Sequence, residues 1–109
     1  MVWMPLTSLQ ALDQLVSLSA ERPQLIFKHS TRCSISTVAK SRLERAEAPD
    51  KLDCHYLDLL NHRDLSAEIA RRFNVEHESP QVILVINGEC VYDESHNAIR
   101  MEEIVGQLQ

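Results

Sequence analysis

The stretch Leu25-Ile26-Phe27-Lys28-His29-Ser30-Thr31-Arg32-Cys33-Ser34-Ile35-Ser36 (residues 25–36) joins a short apolar run to a segment with helical periodicity. This pattern predicts a β-strand that leads into an α-helix, with Cys33 at the junction. The first amide groups of a helix have no partner within the helix and carry a partial positive charge, so they favour a thiolate over a thiol. Because the thiolate is the nucleophilic form of cysteine, Cys33 is the candidate catalytic residue.

Apolar periodicity outside this stretch predicts the other elements. Four helices are expected, from about Ser8 to before Pro23, from Cys33 to before Pro49, over Leu65–Phe73 with Asn74 as a left-handed stop, and over about Arg100–Leu108. Four strands are expected, at Gln24–Lys28, Asp53–Asp58, Gln81–Ile86 and Glu89–Asp93, the last two joined by an Asn87-Gly88 turn. The order of elements matches the thioredoxin fold. We therefore predict one α/β domain over residues 1–109, thioredoxin-like, with a four-stranded mixed sheet flanked by helices.

Composition restricts the partners and the compartment. The chain has sixteen acidic residues and eleven Lys and Arg residues, which gives a formal net charge of −5. The basic residues form no stripe along the sequence, so nucleic acid is not expected as a partner. No apolar run approaches the length needed to cross a bilayer, and residues 1–5 lack the pattern of a signal peptide, so no membrane association is predicted. Three widely spaced cysteines match no secreted disulfide framework, which favours a reducing, cytoplasmic location.

The cysteine spacing also indicates how Cys33 works. Ser36 occupies the position where a dithiol oxidoreductase holds its second cysteine, so Cys33 is expected to act through mixed disulfides with other molecules. The Ser36 hydroxyl is a candidate donor to the thiolate, and a serine with no role in the chemistry is the alternative. Cys54 and Cys90 are expected to be small buried or half-buried side chains. No metal site is predicted, because no pair of Cys or His residues has zinc-finger spacing.

Positive charge is concentrated near Cys33. Lys28, His29 and Arg32 precede it, and no carboxylate lies between Pro23 and Arg42. A local positive field of this kind favours both a thiolate and an anionic small thiol as ligand. The alternative is a set of ordinary solvated charges, with His29 in a structural role.

A proline precedes the hairpin, in the pair Ser79-Pro80. The thioredoxin fold places a proline here, commonly cis and facing the thiol. A cis bond would leave the Ser79 backbone N–H and C=O free to pair with an extended peptide or thiol ligand. The alternative is an ordinary trans proline that opens the strand.

Two segments resemble one family closely. Phe27–Ser36 resembles the FKHSTTCPIS segment of the YtxJ-like bacillithiol system redox-active proteins, the monothiol bacilliredoxin branch of the thioredoxin superfamily, and residues 77–81 match its HESPQ stretch. Ser95-His96 also follows the hairpin as that family's SH pair does. The chain departs from the family at Ser34, where proline is usual. Proline has no N–H, so Ser34 adds a donor to the first helical turn.

The resemblance implies a monothiol thiol-disulfide oxidoreductase that uses Cys33, with Ser36 assisting, to remove bacillithiol from S-thiolated substrate proteins. Bacillithiol would be a co-substrate, and no tightly bound cofactor is expected. The small thiol or substrate is expected to contact Lys28, His29, Thr31, Arg32, Ser34, Ser79 and Pro80. Two alternatives stay open: a non-catalytic thioredoxin-fold module that binds a protein partner, and a monothiol glutaredoxin-like protein that uses glutathione.

Overall fold

A computed structural model describes residues 1–108; Gln109, the last residue of the predicted domain, lies outside them. The helices are α1 (Leu9–Leu18), α2 (Ser34–Ala46), α3 (Arg63–Phe73) and α4 (Met101–Gly106). The strands are β1 (Trp3–Pro5), β2 (Gln24–His29), β3 (Asp53–Asp58), β4 (Gln81–Ile86) and β5 (Glu89–Ser95). A short 3-10 turn, His96–Ala98, connects β5 to the segment before α4.

The five strands form one mixed sheet in the order β1-β3-β2-β4-β5. Strand β3 is parallel to both β1 and β2, whereas β4 is antiparallel to β2 and β5. The predicted α/β class with a mixed sheet flanked by helices is confirmed, but the prediction of four strands was wrong. Strand β1 was missed because it has only three residues and ends in Pro5, which leaves no alternation to detect.

Short local signals begin, end and join the elements at the positions that the sequence predicts. The Ser8 hydroxyl accepts the Ala11 N–H at 3.0 Å and caps α1. Asn74 adopts a left-handed conformation, with φ of 53°, and ends α3. Asn87 and Gly88, with φ of 53° and 76°, make the tight turn between β4 and β5.

Strand β2 is buried on both faces and divides the core into two layers. Leu25 and Phe27 face the layer that contains α2 and α4, whereas Ile26 faces the layer that contains α1 and α3. Successive side chains of a strand point to opposite faces. At the end of β2, His29 therefore lies on the α2 side of the sheet and Lys28 on the α3 side, as their hydrogen bonds to Ser36 and Ser66 confirm.

Three strand ends meet at one edge of the sheet. His29 is the register partner of Asp58 at the ends of β2 and β3, and Lys28 is the partner of Gln81 at the start of β4. The loops that follow β2 and β3 and the loop that precedes β4 consequently lie side by side.

Within residues 1–108, no helix is long and apolar enough to cross a membrane.

Candidate active site

Cys33 is the N-cap residue of α2. Its backbone is extended, with φ of −110° and ψ of 119°, and its carbonyl accepts the Thr37 N–H at 3.1 Å in the first bond of the helix. Its own N–H donates to the Ser30 carbonyl at 3.1 Å, which closes the turn after β2. The residue is half-buried and lies at the positive end of a 13-residue helix.

The other two cysteines have a different environment, although all three are free. Cys54 is buried in the α2 layer, and burial raises the pKa of its thiol to about 11. Cys90 is half-buried and donates from Sγ to the Tyr92 carbonyl at 3.5 Å, and burial raises its pKa as well. The predicted packing roles of Cys54 and Cys90 are confirmed, and Cys33 remains the candidate nucleophile.

The Ser36 hydroxyl is fully buried beneath the turn that carries Cys33. It accepts the Ser30 N–H at 3.1 Å and is hydrogen-bonded to His29 Nδ1 at 2.6 Å. The structure thus commits this hydroxyl to the turn itself, and within residues 1–108 it has no hydrogen bond to the Cys33 sulfur. This arrangement differs from the prediction that the Ser36 hydroxyl donates a hydrogen bond to the Cys33 thiolate.

His29 is buried between the sheet and α2. Its ring centroid lies 5.7 Å from that of Phe27 and 5.4 Å from that of Tyr56. Burial, with a smaller contribution from Lys40, lowers the pKa of the imidazole below its ordinary value. The lowered pKa favours the neutral form of the ring, and His29 supports the Cys33 turn through Ser36, in line with the structural alternative considered for it.

Lys28 lies on the opposite face of the sheet and is completely buried. Its ammonium donates to the Ser66 carbonyl of α3 at 3.2 Å and lies 3.2 Å from His77 Nδ1, in the loop before Ser79. Burial lowers the pKa of the ammonium to about 8. The side chain connects β2 to this loop from within the core, so its influence on a ligand at the surface is electrostatic rather than by direct contact.

The Ser79-Pro80 peptide bond is cis. Pro80 immediately precedes Gln81, the register partner of Lys28, so it lies at the sheet edge where β2 ends. The Pro80 carbonyl accepts the His96 N–H at 3.0 Å. The Gln81 side chain holds the loop from inside, donating to the Glu76 carbonyl at 2.9 Å. The Ser79 hydroxyl is buried without a hydrogen-bond partner among the described residues.

Thr31, Arg32 and Ser34 are exposed around Cys33. Ser34 is the first residue of α2. Thr31 and Arg32 line a cavity of about 370 Å³. The other wall of this cavity comes from the segment between β3 and α3, namely Leu60, Asn61 and Arg63.

Asn61 and Arg63 were not predicted as site residues. They lie about thirty positions from Cys33 in the chain, and no motif marks them. One signal could have found them. Ligands of open α/β sheets bind beyond the carboxyl ends of the strands, and this rule applies to β3 as it does to β2.

Among residues 1–108, no three side chains of His, Cys, Asp or Glu are grouped so that they could hold a metal ion.

Comparisons with known proteins reveal relatives over the whole length. The family model of monothiol bacilliredoxin BrxC matches residues 4–104. A solved structure described as a candidate oxidoreductase with a thioredoxin fold is 31% identical, with a TM-score of 0.83. That match covers 99% of this chain and 95% of the other.

Two more distant structures share the fold. Thioredoxin from Malassezia sympodialis is 13% identical with a TM-score of 0.76, over 98% of this chain and 88% of that one. The Schistosoma mansoni thioredoxin pre-protein is 22% identical with a TM-score of 0.73, over 100% of both chains. The predicted thioredoxin-like fold is thus confirmed. With its free, half-exposed Cys33 and the match to the family model over residues 4–104, the chain belongs to the monothiol bacilliredoxin family.

Proposed function

We propose that the protein removes a small thiol, bacillithiol, from S-thiolated proteins by disulfide exchange at Cys33. The Cys33 thiolate attacks the sulfur of the small thiol in the mixed disulfide, and the substrate protein leaves as its thiolate. Cys33 then holds the small thiol as a new disulfide. A second molecule of the small thiol, as thiolate, attacks that disulfide, so that Cys33 is released as thiolate and the symmetric small-molecule disulfide departs.

The observation that carries this proposal is the separation of Cys33 from the other two cysteines. Cys54 in β3 lies opposite Leu25, near the start of β2. Cys90 in β5 lies opposite Val85 of β4, and Val85 lies opposite Gln24, the first residue of β2. Cys33 follows the other end of β2. At ~3.3 Å per residue, that end lies about 13 Å along the strand from Leu25. A disulfide needs Cα atoms within about 7 Å, so neither cysteine can resolve a Cys33 adduct in this fold.

Several neighbours support the exchange. The unpaired amides at the start of α2 stabilise a thiolate, and Ser34 contributes an N–H there that proline would lack. Ser36 and His29 act as positioning residues, because their hydrogen bond holds the turn that presents the sulfur. The Ser79 backbone beside the cis Pro80 receives an extended segment of the substrate. Thr31 and Arg32 contact the small thiol, and Lys28 contributes charge from below.

Apolar surface beside the thiol supports a protein as the substrate of the first exchange. Ile35 and Val38, on the exposed side of α2, are 41% and 50% exposed. Residues three positions apart lie on one side of a helix, so both side chains are available to a protein that docks at Cys33. We propose the cytoplasm as the place of action, where the reducing environment keeps all three cysteines free.

The first test is the formation of an adduct, followed by intact mass. Incubation of the reduced protein with bacillithiol disulfide should add one small thiol per chain, and Cys33→Ala should abolish the adduct. Cys54→Ala and Cys90→Ala serve as matched controls and should react like the wild type. Slow and equal labelling of all three cysteines would favour the non-catalytic binding module instead.

A second variant tests the monothiol step directly. Ser36→Cys restores a second thiol at the position three residues after Cys33. The new thiol should expel the small thiol from Cys33. Intact mass should then show no adduct, but a chain two hydrogen atoms lighter than the reduced variant. Parallel rates with glutathione disulfide distinguish the glutathione-using alternative, which predicts faster exchange with glutathione than with bacillithiol.

A further inference from the structure

The cavity beside Cys33 has a composition that the exchange chemistry does not by itself explain. It holds about 370 Å³ and is lined by Thr31, Arg32, Leu60, Asn61 and Arg63. Two loops make it, one at the end of β2 and the other at the end of β3, and these strands are parallel neighbours. Arg32 directly precedes Cys33 in the chain, so their Cα atoms are about 3.8 Å apart. The cavity therefore lies one residue along the chain from Cys33, which does not itself line it.

Both arginines of the cavity are exposed, and within residues 1–108 neither forms an ion pair. Two other arginines of the same helix as Arg63 differ in this respect, since Arg71 and Arg72 bind Glu68 at 2.6 and 3.2 Å. Uncommitted guanidinium groups on both walls of one cavity are suited to an anion, because each can donate two parallel hydrogen bonds to a carboxylate.

Two acidic groups lie near the cavity without lining it. Asp58, at the end of β3, accepts a hydrogen bond from Asn61 Nδ2 at 2.7 Å, and it does not line the cavity. Asp64 is exposed in the first turn of α3 and does not line it either. The N-cap residue of α3, His62, makes no side-chain cap hydrogen bond within the described chain, so the first amides of this 11-residue helix add positive potential on the same side.

We propose that this cavity binds the carboxylate end of the small thiol while its sulfur is joined to Cys33, and that Arg63 determines the preference for an anionic thiol. Arg32 and Arg63 donate from opposite walls, with the Thr31 hydroxyl and the Asn61 amide beside them. The ligand class is a low-molecular-weight thiol that carries carboxylate groups. This inference rests on the proposed function, since it assigns a specificity site for the same exchange.

The test compares two disulfides that differ in charge. Bacillithiol disulfide carries carboxylates, whereas cystamine carries amines and no carboxylate. The rate of Cys33 adduct formation is measured by intact mass for the wild type and for Arg63→Gln. Arg45→Gln is the matched control. Arg45 is also exposed and has no ion pair among residues 1–108, but it lies in the last turn of α2, about 18 Å from Cys33 along the helix.

Arg63→Gln should lower the rate with bacillithiol disulfide at least about tenfold, the effect of losing one hydrogen-bonded charge pair. Its rate with cystamine should stay within about twofold of the wild type or rise, since a cation is no longer repelled. Arg45→Gln should change neither rate. Raising the salt concentration should reduce the preference of the wild type for the anionic disulfide and have less effect on Arg63→Gln.

Two results would overturn the inference while leaving the exchange intact. These are an unchanged preference for bacillithiol disulfide in Arg63→Gln, and an equal fall in the rates with both disulfides. If the wild type forms no Cys33 adduct with either disulfide, the proposed function itself fails. Thermal unfolding of each variant shows whether it is folded, and an exposed arginine is replaced at little cost in stability.

Discussion

Burial of the Lys28 ammonium gives this protein a measurable dependence of stability on pH. The side chain is completely buried, and its pKa is about 8 instead of 10.5. Between these two values the unfolded chain binds more protons than the folded one, so the free energy of unfolding rises as the pH increases. The full change amounts to about 3 kcal/mol, at 1.36 kcal/mol for each tenfold change in affinity for the proton.

Lys28→Met isolates this contribution, because methionine fills a similar volume and carries no charge. Urea denaturation of the wild type and the variant should be compared from pH 7.5 to 10.5, with reductant present. The wild type should gain up to about 3 kcal/mol relative to Lys28→Met over this range. Taking the difference removes the opposite contribution of Cys54, whose raised pKa makes the folded state less stable as the pH approaches 11.

Lys51→Met, at an exposed lysine, is the matched control for the loss of one positive charge. A difference between wild type and Lys28→Met that stays constant from pH 7.5 to 10.5 would refute the reasoning. It would mean that the ammonium reaches water, or that its bonds to the Ser66 carbonyl and to His77 fully replace solvation.

Further changes test the support of the Cys33 turn and the edge strand. Ser36→Ala removes a buried hydroxyl and leaves the Ser30 N–H and His29 Nδ1 unpaired, so we expect urea denaturation to show a loss of about 1–3 kcal/mol together with slower adduct formation at Cys33. Trp3→Ala removes a hydrogen bond of 2.8 Å to Glu44 and the stacking on the sheet, and should cost about 2–3 kcal/mol; a loss under about 0.5 kcal/mol would show that β1 does not stabilise the fold. Acidification below pH ~6.5 should destabilise the wild type more than His29→Gln, because the buried ring binds a proton less readily than it does in the unfolded chain; parallel curves in urea titrations from pH 8 to 5 would contradict the assigned burial.

Local signals explain why most elements could be predicted. The Ser8 cap, the left-handed Asn74 and the Asn87-Gly88 turn act over a few residues, and each is visible in the chain as written. The three-residue β1 carries no such signal, because its pairing with β3 is a contact between segments about fifty positions apart. Its place in the sheet is set by the side of β3 opposite β2, along which residues 3–5 pair.

In the candidate site, too, local features could be predicted from the sequence, whereas features that depend on tertiary contacts could not. The position of Cys33 at the start of α2, and Ser36 in place of a second cysteine, can be read from the chain because an apolar strand followed by a helical period specifies the junction. The burial of Lys28 could not, since it depends on the alternation of β2 between two covered faces, and a lysine in sequence gives no sign of which neighbour shields it.

The sequence by itself indicated the candidate nucleophile, the lack of a cysteine three residues after it and the family, because these depend on residue identity at short spacing. Only the tertiary structure decided which charges accompany the thiol. It placed Lys28 on the α3 side of the sheet, joined Ser36 to His29, and brought Arg32 and Arg63 to one cavity. The physical reason is that parallel strands bring the ends of distant segments to one edge, while the pleat of a single strand sends adjacent side chains to opposite faces.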